Sequence, residues 1–457
     1  MLGAICALVP SLAMWGFTVD DALIPVRYAH HLVTGAGYRF DLHGPSTDGV
    51  TPLPWAFLVA PLASGSPLTT LLRLKVLGVV AWTAAGALLG ARVGAIAGAD
   101  RVRRLLAAAA LVVTGLAFVI GAWASSGMET GVATALATVA ATRMSKPRQT
   151  AVLAGLAATL RPELVVWAVA IAVGAALACT HERERERPWR AAAIGGATAF
   201  LPFGICALVR MVVFGRPAPL AVLAKPSDLT HGAVYVGAAL LVVLTPLLVS
   251  SPLALWRARG EAAAVVVAFL AHALAVLGAG GDWMPYARLL VPVAPSLVIA
   301  FVELSKVARP AWSAARLAAA GVLGVLFVVR AAPAGRGVYA DRADLVARAR
   351  PVLASSRVVA VLDIGWTSAA TDAQIVDLAG LTDPSIALLP GGHTSKRVDV
   401  SMLLDRGVDT VIVYSELREV EVRILRAELF KSRFEEVAQL PVGTRGAFYI
   451  VYRRRAL

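Results

Sequence analysis

Ten apolar stretches of roughly membrane-spanning length dominate this chain and leave it little choice of environment. They lie near residues 2–18, 70–98, 105–123, 128–143, 163–180, 190–213, 233–253, 261–279, 287–305 and 311–333, and a helix needs about 20 apolar residues to cross a bilayer. A shorter stretch at 149–160 ends at Arg161-Pro162-Glu163 and brings the expected number of spans to about eleven. The segment Thr51 to Leu62 is also apolar, but its three prolines and short length suit a re-entrant or interfacial piece. Only 16% of residues are charged, against about a quarter in soluble domains. The expectation is a polytopic α-helical membrane protein whose surroundings are the lipid bilayer.

A net charge of +14 would suggest nucleic acid in a soluble protein. Here the surplus sits in short loops between apolar stretches, where Lys and Arg set topology. With the N-terminus in the cytoplasm, the inside loops carry Arg101, Arg103 and Arg104; Arg143, Lys146 and Arg148; Arg183, Arg185, Arg187 and Arg190; Arg257 and Arg259; and Lys306, Arg309 and Arg316. No nucleic-acid partner is expected. The alternating HERERERP run at 181–188 reads as a solvated cytoplasmic turn. Met1 to Thr18 has no basic flank and reads as a retained first helix. Cys6, Cys179 and Cys206 all lie in apolar surroundings and read as packed thiols.

After about residue 334 the apolar runs shorten. Strand-like pieces at 358–362, 410–414 and 448–452 alternate with helix-like stretches at 341–350 and 416–432, the pattern of a small α/β domain. The expected organisation is a transmembrane domain over 1–333, with an external loop at 19–69, and an extracytoplasmic α/β domain over 334–457.

The outside loops hold the unusual residues. Asp20 and Asp21 stand at the exit of the first apolar stretch, where two carboxylates belong at the water interface. They open a segment that reads as an interfacial helix over about Ala22 to Val33, with Asp20, Ile24, Arg27 and His31 along one stripe. A solvated loop start and a membrane-surface helix are the competing readings. His30 and His31 point apart on a helix and no second ligand cluster has suitable spacing, so neither a metal nor another cofactor is expected.

The segment DDALIPVRYAHHLVTGAGYRFDLHGPSTDGVTPLPW, from Asp20 to Trp55, resembles the first external loop of GT-C glycosyltransferases that use polyprenyl-phosphate sugars. It is most similar to the bacterial terminal arabinofuranosyltransferase-like group. Further matching motifs follow in order: SSGMET (125–130), TLRPE (159–163), FGRPAPLAVLAK (214–225), GGDWMPYARLLVPVAP (280–295) and DLAGLTDPSIA (377–387). Leu220 and Ala221 depart from the family's Asn and Thr, Leu164 replaces a usual Gly, and Asp48 stands where Glu is common. Those departures leave the reaction class intact and the donor sugar and acceptor contacts open.

The resemblance implies a GT-C fold in a bacterial inner membrane, with the C-terminal domain periplasmic. It implies transfer of a sugar, a pentofuranose such as arabinose being the first expectation, from a polyprenyl-phosphate donor to a cell-envelope glycan, lipid or protein. Such transfer needs a base for the acceptor hydroxyl, a role the resemblance gives to Asp20, with Asp21 second. Cations must meet the leaving phosphate: Lys225 first, then Arg161 and Arg288. Arg27, Tyr28, Glu129, Glu163, Asp282 and Trp283 are expected to contact substrate. Glu129, Glu163 and Asp282 serve equally well as ion-pair partners for a nearby Arg or as helix caps. Trp55, Trp123 and Trp283 suit sugar stacking or an interfacial belt. DLAGLTDP is an acceptor-positioning element or only the C-terminal domain's strand and turn. The rival reading is a transporter or flippase for lipid-linked sugars, which calls for mid-membrane ionisable residues or paired broken helices.

Overall fold

The computed structural model describes the chain apart from residues 183–186, 226, 251–255, 257, 444, 445 and 457, and apart from the side chains of 180–182. Most of the HERERERP turn and Arg257 therefore lie outside the described residues. The chain divides into two compact units. A helical unit comprises Met1–Thr18, Lys75–Cys206 and Ser227–Arg336, and a mixed unit comprises Val19–Leu74, Ala207–Pro226 and Gly337–Leu457.

Among the described residues, five helices are long and apolar enough to cross a membrane: Pro67–Ala97, Pro162–Cys179, Pro188–Phe214, Gly260–Gly278 and Pro310–Arg330. A sixth span is counted if Arg101–Leu116 and Phe118–Ala124, bent by 60°, are taken together. Other expected spans form shorter apolar helices, Leu2–Ala13, Thr130–Thr142, Leu229–Val242 and Ala294–Leu304. At about 1.5 Å per residue none of these four reaches across a 30 Å hydrocarbon core unaided. The reasons are local. The stretch at 287–305 contains Pro292 and Pro295 and follows Pro285, and Tyr286 and Ala287 have φ of 61° and 53°. The chain therefore stays in turns until Ala294. In the 233–253 stretch, the left-handed Leu244 (φ 60°) ends the helix begun at Leu229.

Within the helical unit, backbones meet where side chains are missing. A Cβ on Gly3 would stand 2.1 Å from the carbonyl oxygen of Gly86, and one on Gly86 would stand 2.7 Å from that of Gly3. Leu2–Ala13 thus lies directly against Pro67–Ala97, the small-residue contact that replaces hydrophobic driving force in lipid.

The mixed unit carries a five-stranded sheet of β1 (Val358–Val361), β2 (Gln374–Asp377), β3 (Thr410–Tyr414), β4 (Phe434–Val442) and β5 (Ala447–Arg454), in the order β2-β1-β3-β5-β4. β1 runs parallel to β2 and β3, and β5 runs antiparallel to β3 and β4. The expected α/β segment is present, with two strands more than the sequence suggested. β2 spans only four residues, and β4 is a bulged edge strand containing Pro441, so neither has the apolar run that marks a buried strand. The expected helix at 416–432 is two helices, Glu419–Arg426 and Glu428–Arg433, divided at extended Ala427.

The external loop belongs to this same unit. Asp20–Leu23 forms a 3₁₀ turn and Ile24–Val33 an α-helix whose Pro25 sits in the first turn, where no amide is needed. The apolar piece at 51–62 gives only Trp55–Val59 and the turn Ala60–Leu62.

The Gly3–Gly86 contact is testable. Gly86→Leu should destabilise the detergent-solubilised chain by the ~1–3 kcal/mol typical of overpacking, read as a lower thermal unfolding temperature. An unchanged temperature would show that the two helices are not in contact.

Candidate functional site

The acidic pair is divided by its surroundings. Extended Val19 turns the chain into the 3₁₀ turn that presents Asp20. Its Oδ2 accepts the amide of Gly365 at 2.8 Å and its Oδ1 that of Trp366 at 2.8 Å. These amides open the helix Ile364–Ala370, whose N-cap residue Asp363 makes no side-chain cap of its own. Asp363 Oδ2 is otherwise engaged, accepting from the Tyr449 hydroxyl at 2.6 Å and Arg418 Nη1 at 2.8 Å. Gly365 has no room for a side chain, since a Cβ would stand 2.0 Å from the Asp20 carbonyl oxygen. Trp366 is buried with its ring against Tyr449. Arg342 donates to the Tyr449 hydroxyl at 3.2 Å. Burial pushes the Asp20 carboxyl up to about 6, against the opposing charge of Arg342 and with Asp363 adding to the rise. Asp21 is half-buried, and its carboxylate makes no hydrogen bond or ion pair with any described residue.

Arg27 and Tyr28 face inward. The Arg27 guanidinium is occupied throughout: Nε donates to Phe40 O (2.7 Å), Nη1 to Thr371 O (3.0 Å) and Ser368 O (3.3 Å), and Nη2 to Ala373 O (2.8 Å) and Asp41 Oδ1 (3.3 Å). The Tyr28 hydroxyl is buried and bonds Thr47, and it accepts the amide of Gly49. Asp48, also buried, receives Arg210 Nε at 2.8 Å. Lys225 follows the short helix Leu220–Ala224, half-buried, with no partner for its ammonium among the described residues.

The helical unit holds five of the expected residues, three at helix ends and two, Asp282 and Arg288, in the turns after Gly260–Gly278. Glu129 precedes Thr130–Thr142, Arg161 ends Pro147–Leu160, and Glu163 lies in the turn that follows. Arg161 Nη1 donates to Glu129 Oε1 at 2.8 Å and Nε to Glu163 Oε1 at 2.7 Å. Glu129 is 2% and Arg161 5% exposed, so this is a buried, charge-assisted network. Asp282 Oδ2 accepts from Arg288 Nε at 2.7 Å and acts electrostatically on Arg161. The Arg288 guanidinium lies 5.7 Å from the Trp123 ring centre. Trp283 is 64% exposed and stacks on His231 at 4.2 Å. Both arginines expected at a phosphate thus hold carboxylates.

Asp363, Arg342, Tyr449 and Arg418 carry the polar network behind Asp20, and sequence reasoning missed them. Their link to Asp20 runs through backbone amides some 345 residues away, which leaves no pattern in the chain. DLAGLTDP forms the end of β2 and a turn: Asp377 Oδ1 accepts the Ala379 amide and Oδ2 the Thr382 amide. Among the described residues, no three His, Cys, Asp or Glu side chains come together as metal ligands.

Residues 339–452 match a family described as a domain of unknown function, DUF8728. No curated protein and no solved structure matches the chain.

Four carboxyls of the mixed unit, Asp20, Asp41, Asp48 and Asp377, titrate above their ordinary range because burial disfavours the charged form, Asp20 and Asp41 at about 6 and Asp377 at about 7. Each holds its proton more tightly folded than unfolded. The stability of this unit should therefore rise as pH falls from about 7 towards about 4. Thermal unfolding followed by the fluorescence of buried Trp366 reads the effect in the Trp366→Phe difference signal. A transition temperature that falls over that range would contradict the assignment.

Proposed function

We propose that this chain is an integral membrane glycosyltransferase of GT-C architecture with about eleven spans, set in a bacterial inner membrane. Its N-terminus is cytoplasmic and its C-terminal domain periplasmic. It moves a sugar, a pentofuranose such as arabinose being the first candidate, from a polyprenyl-phosphate carrier to a cell-envelope acceptor at the external face. The observation that carries this reading is the unequal state of the acidic pair. One carboxylate is fixed by two backbone amides, and its neighbour makes no hydrogen bond or ion pair with any described residue. That is the arrangement a positioned base needs.

In the proposed reaction Asp21 accepts the proton of the acceptor hydroxyl as that oxygen bonds to the anomeric carbon. The bond from that carbon to the phosphate oxygen breaks, and the phosphate leaves with the electron pair. Lys225, whose ammonium has no partner among the described residues, meets the developing charge. Asp20 is a positioning residue. Arg161 and Arg288 orient Glu129, Glu163 and Asp282, and those carboxylates are proposed to take substrate hydroxyls, with Trp283 offering an exposed ring face. A lipid-borne substrate also accords with an apolar groove of about 950 Å³ in the helical unit, lined by Val165, Val169, Phe200, Ala264 and Val267.

The test is incubation of membranes holding the chain with radiolabelled polyprenyl-phosphate sugars, followed by linkage analysis of the product. Asp21→Asn should lower transfer by about 10²–10⁴-fold, the usual worth of a general base, with the unfolding temperature unchanged. Full transfer by Asp21→Asn would overturn the base assignment. Movement of intact carrier across the bilayer without transfer would favour the flippase reading.

A further inference from the structure

The mixed unit contains a cavity of about 370 Å³ that the chemistry above does not use. It opens along β2, one of the two edge strands of the sheet, and is lined by Asp41 and Thr47 of the external loop and by Gln374, Thr382, Asp383 and Arg406. Its volume is at the small end of ligand pockets, which run about 300–1,000 Å³.

The lining mixes apolar groups such as Phe40, Ile375 and Pro384 with polar ones, and its charges are balanced. Asp41 is paired with Arg27 at 3.3 Å, and Asp383 is paired with Arg406. Each carboxylate already has its guanidinium, so neither a phosphate nor an ammonium ligand finds an uncompensated charge. Hydrogen-bonding capacity is nevertheless left over. Asp41 Oδ1 accepts the Ile375 amide at 3.0 Å and Arg27, while Oδ2 has no partner among the described residues. The Gln374 amide side chain, exposed at the rim, has none either. An unengaged carboxylate oxygen and a side-chain amide lining one cavity offer acceptors and a donor to the same ligand. Adjacent hydroxyls, each a donor and an acceptor, match that pattern.

We infer that the cavity between Asp41, Gln374 and Arg406 is a subsite for a neutral sugar. Resting on the glycosyltransferase reading, it holds a ring of the acceptor glycan away from the reacting hydroxyl. Asp41 accepts from the sugar's hydroxyls, and Gln374 both donates and accepts. Arg27 and Arg406 hold the two carboxylates in place.

Saturation-transfer NMR on the full chain in detergent tests this with methyl glycosides of arabinofuranose, galactofuranose and mannopyranose at about millimolar concentration. Inorganic phosphate and tetramethylammonium serve as charged probes by competition. At least one glycoside should bind. Gln374→Trp, which fills the rim without touching the Asp41–Arg27 pair, should weaken it at least about tenfold, and Gln374→Ala by less. No glycoside binding, binding indifferent to Gln374→Trp, or competition by phosphate or tetramethylammonium would overturn the subsite. The transfer assay separates this inference from the reading beneath it. Transfer with an acceptor KM unmoved by Gln374→Trp rejects the subsite alone. Gln374-dependent glycoside binding in a chain that transfers from no polyprenyl-phosphate sugar rejects the transferase and leaves a carbohydrate-binding site.

Discussion

Two backbone amides on one carboxylate organise the mixed unit. Asp20 takes the amides of Gly365 and Trp366, groups that a helix start otherwise leaves to water or to its own N-cap. Hydrogen bonds to a charged acceptor are worth roughly 1.5–3 kcal/mol each, so the pair is a substantial fastening for a loop. Because Asp20 does the capping, Asp363 is released to join Tyr449 on β5 to Arg418. The Arg27 fork closes the same two stretches of chain a second time, on the carbonyls of Ser368, Thr371 and Ala373. These bonds explain why residues 19–74 group with residues 337–457, although the sequence reading assigned the loop to the transmembrane domain.

The fastening separates two neighbours that the sequence could not separate. Asp20 and Asp21 are chemically identical, and a motif weights them by position alone. Asp20 is committed to the backbone, whereas the Asp21 carboxylate makes no hydrogen bond or ion pair with any described residue. The helical unit shows a similar division. Arg161 and Arg288 are consumed in holding Glu129, Glu163 and Asp282.

Much of the fold was legible because hydropathy is a local property. The stretch expected at 70–98 forms Pro67–Ala97, and the strands expected at 358–362 and 410–414 are β1 and β3. Legibility failed where backbone geometry overrides hydropathy, as at left-handed Tyr286 and Ala287, which delay an apparent span until Ala294. Within the candidate site, residues joined to side chains close in sequence are readable, as Arg161 and Glu163, two residues apart, are joined at 2.7 Å. Residues joined to distant backbone are not. Arg27 reads as a pocket residue from its stripe on the helix, yet three of its five hydrogen bonds end on carbonyls more than 340 residues away. No spacing rule reaches that far.

Amide hydrogen exchange over residues 364–370 tests the fastening most directly, comparing the wild-type chain with Asp20→Ala and Asp21→Ala. The account predicts that Gly365 and Trp366 lose protection in Asp20→Ala and keep it in Asp21→Ala. Equal protection in all three proteins, or loss confined to Asp21→Ala, would contradict it.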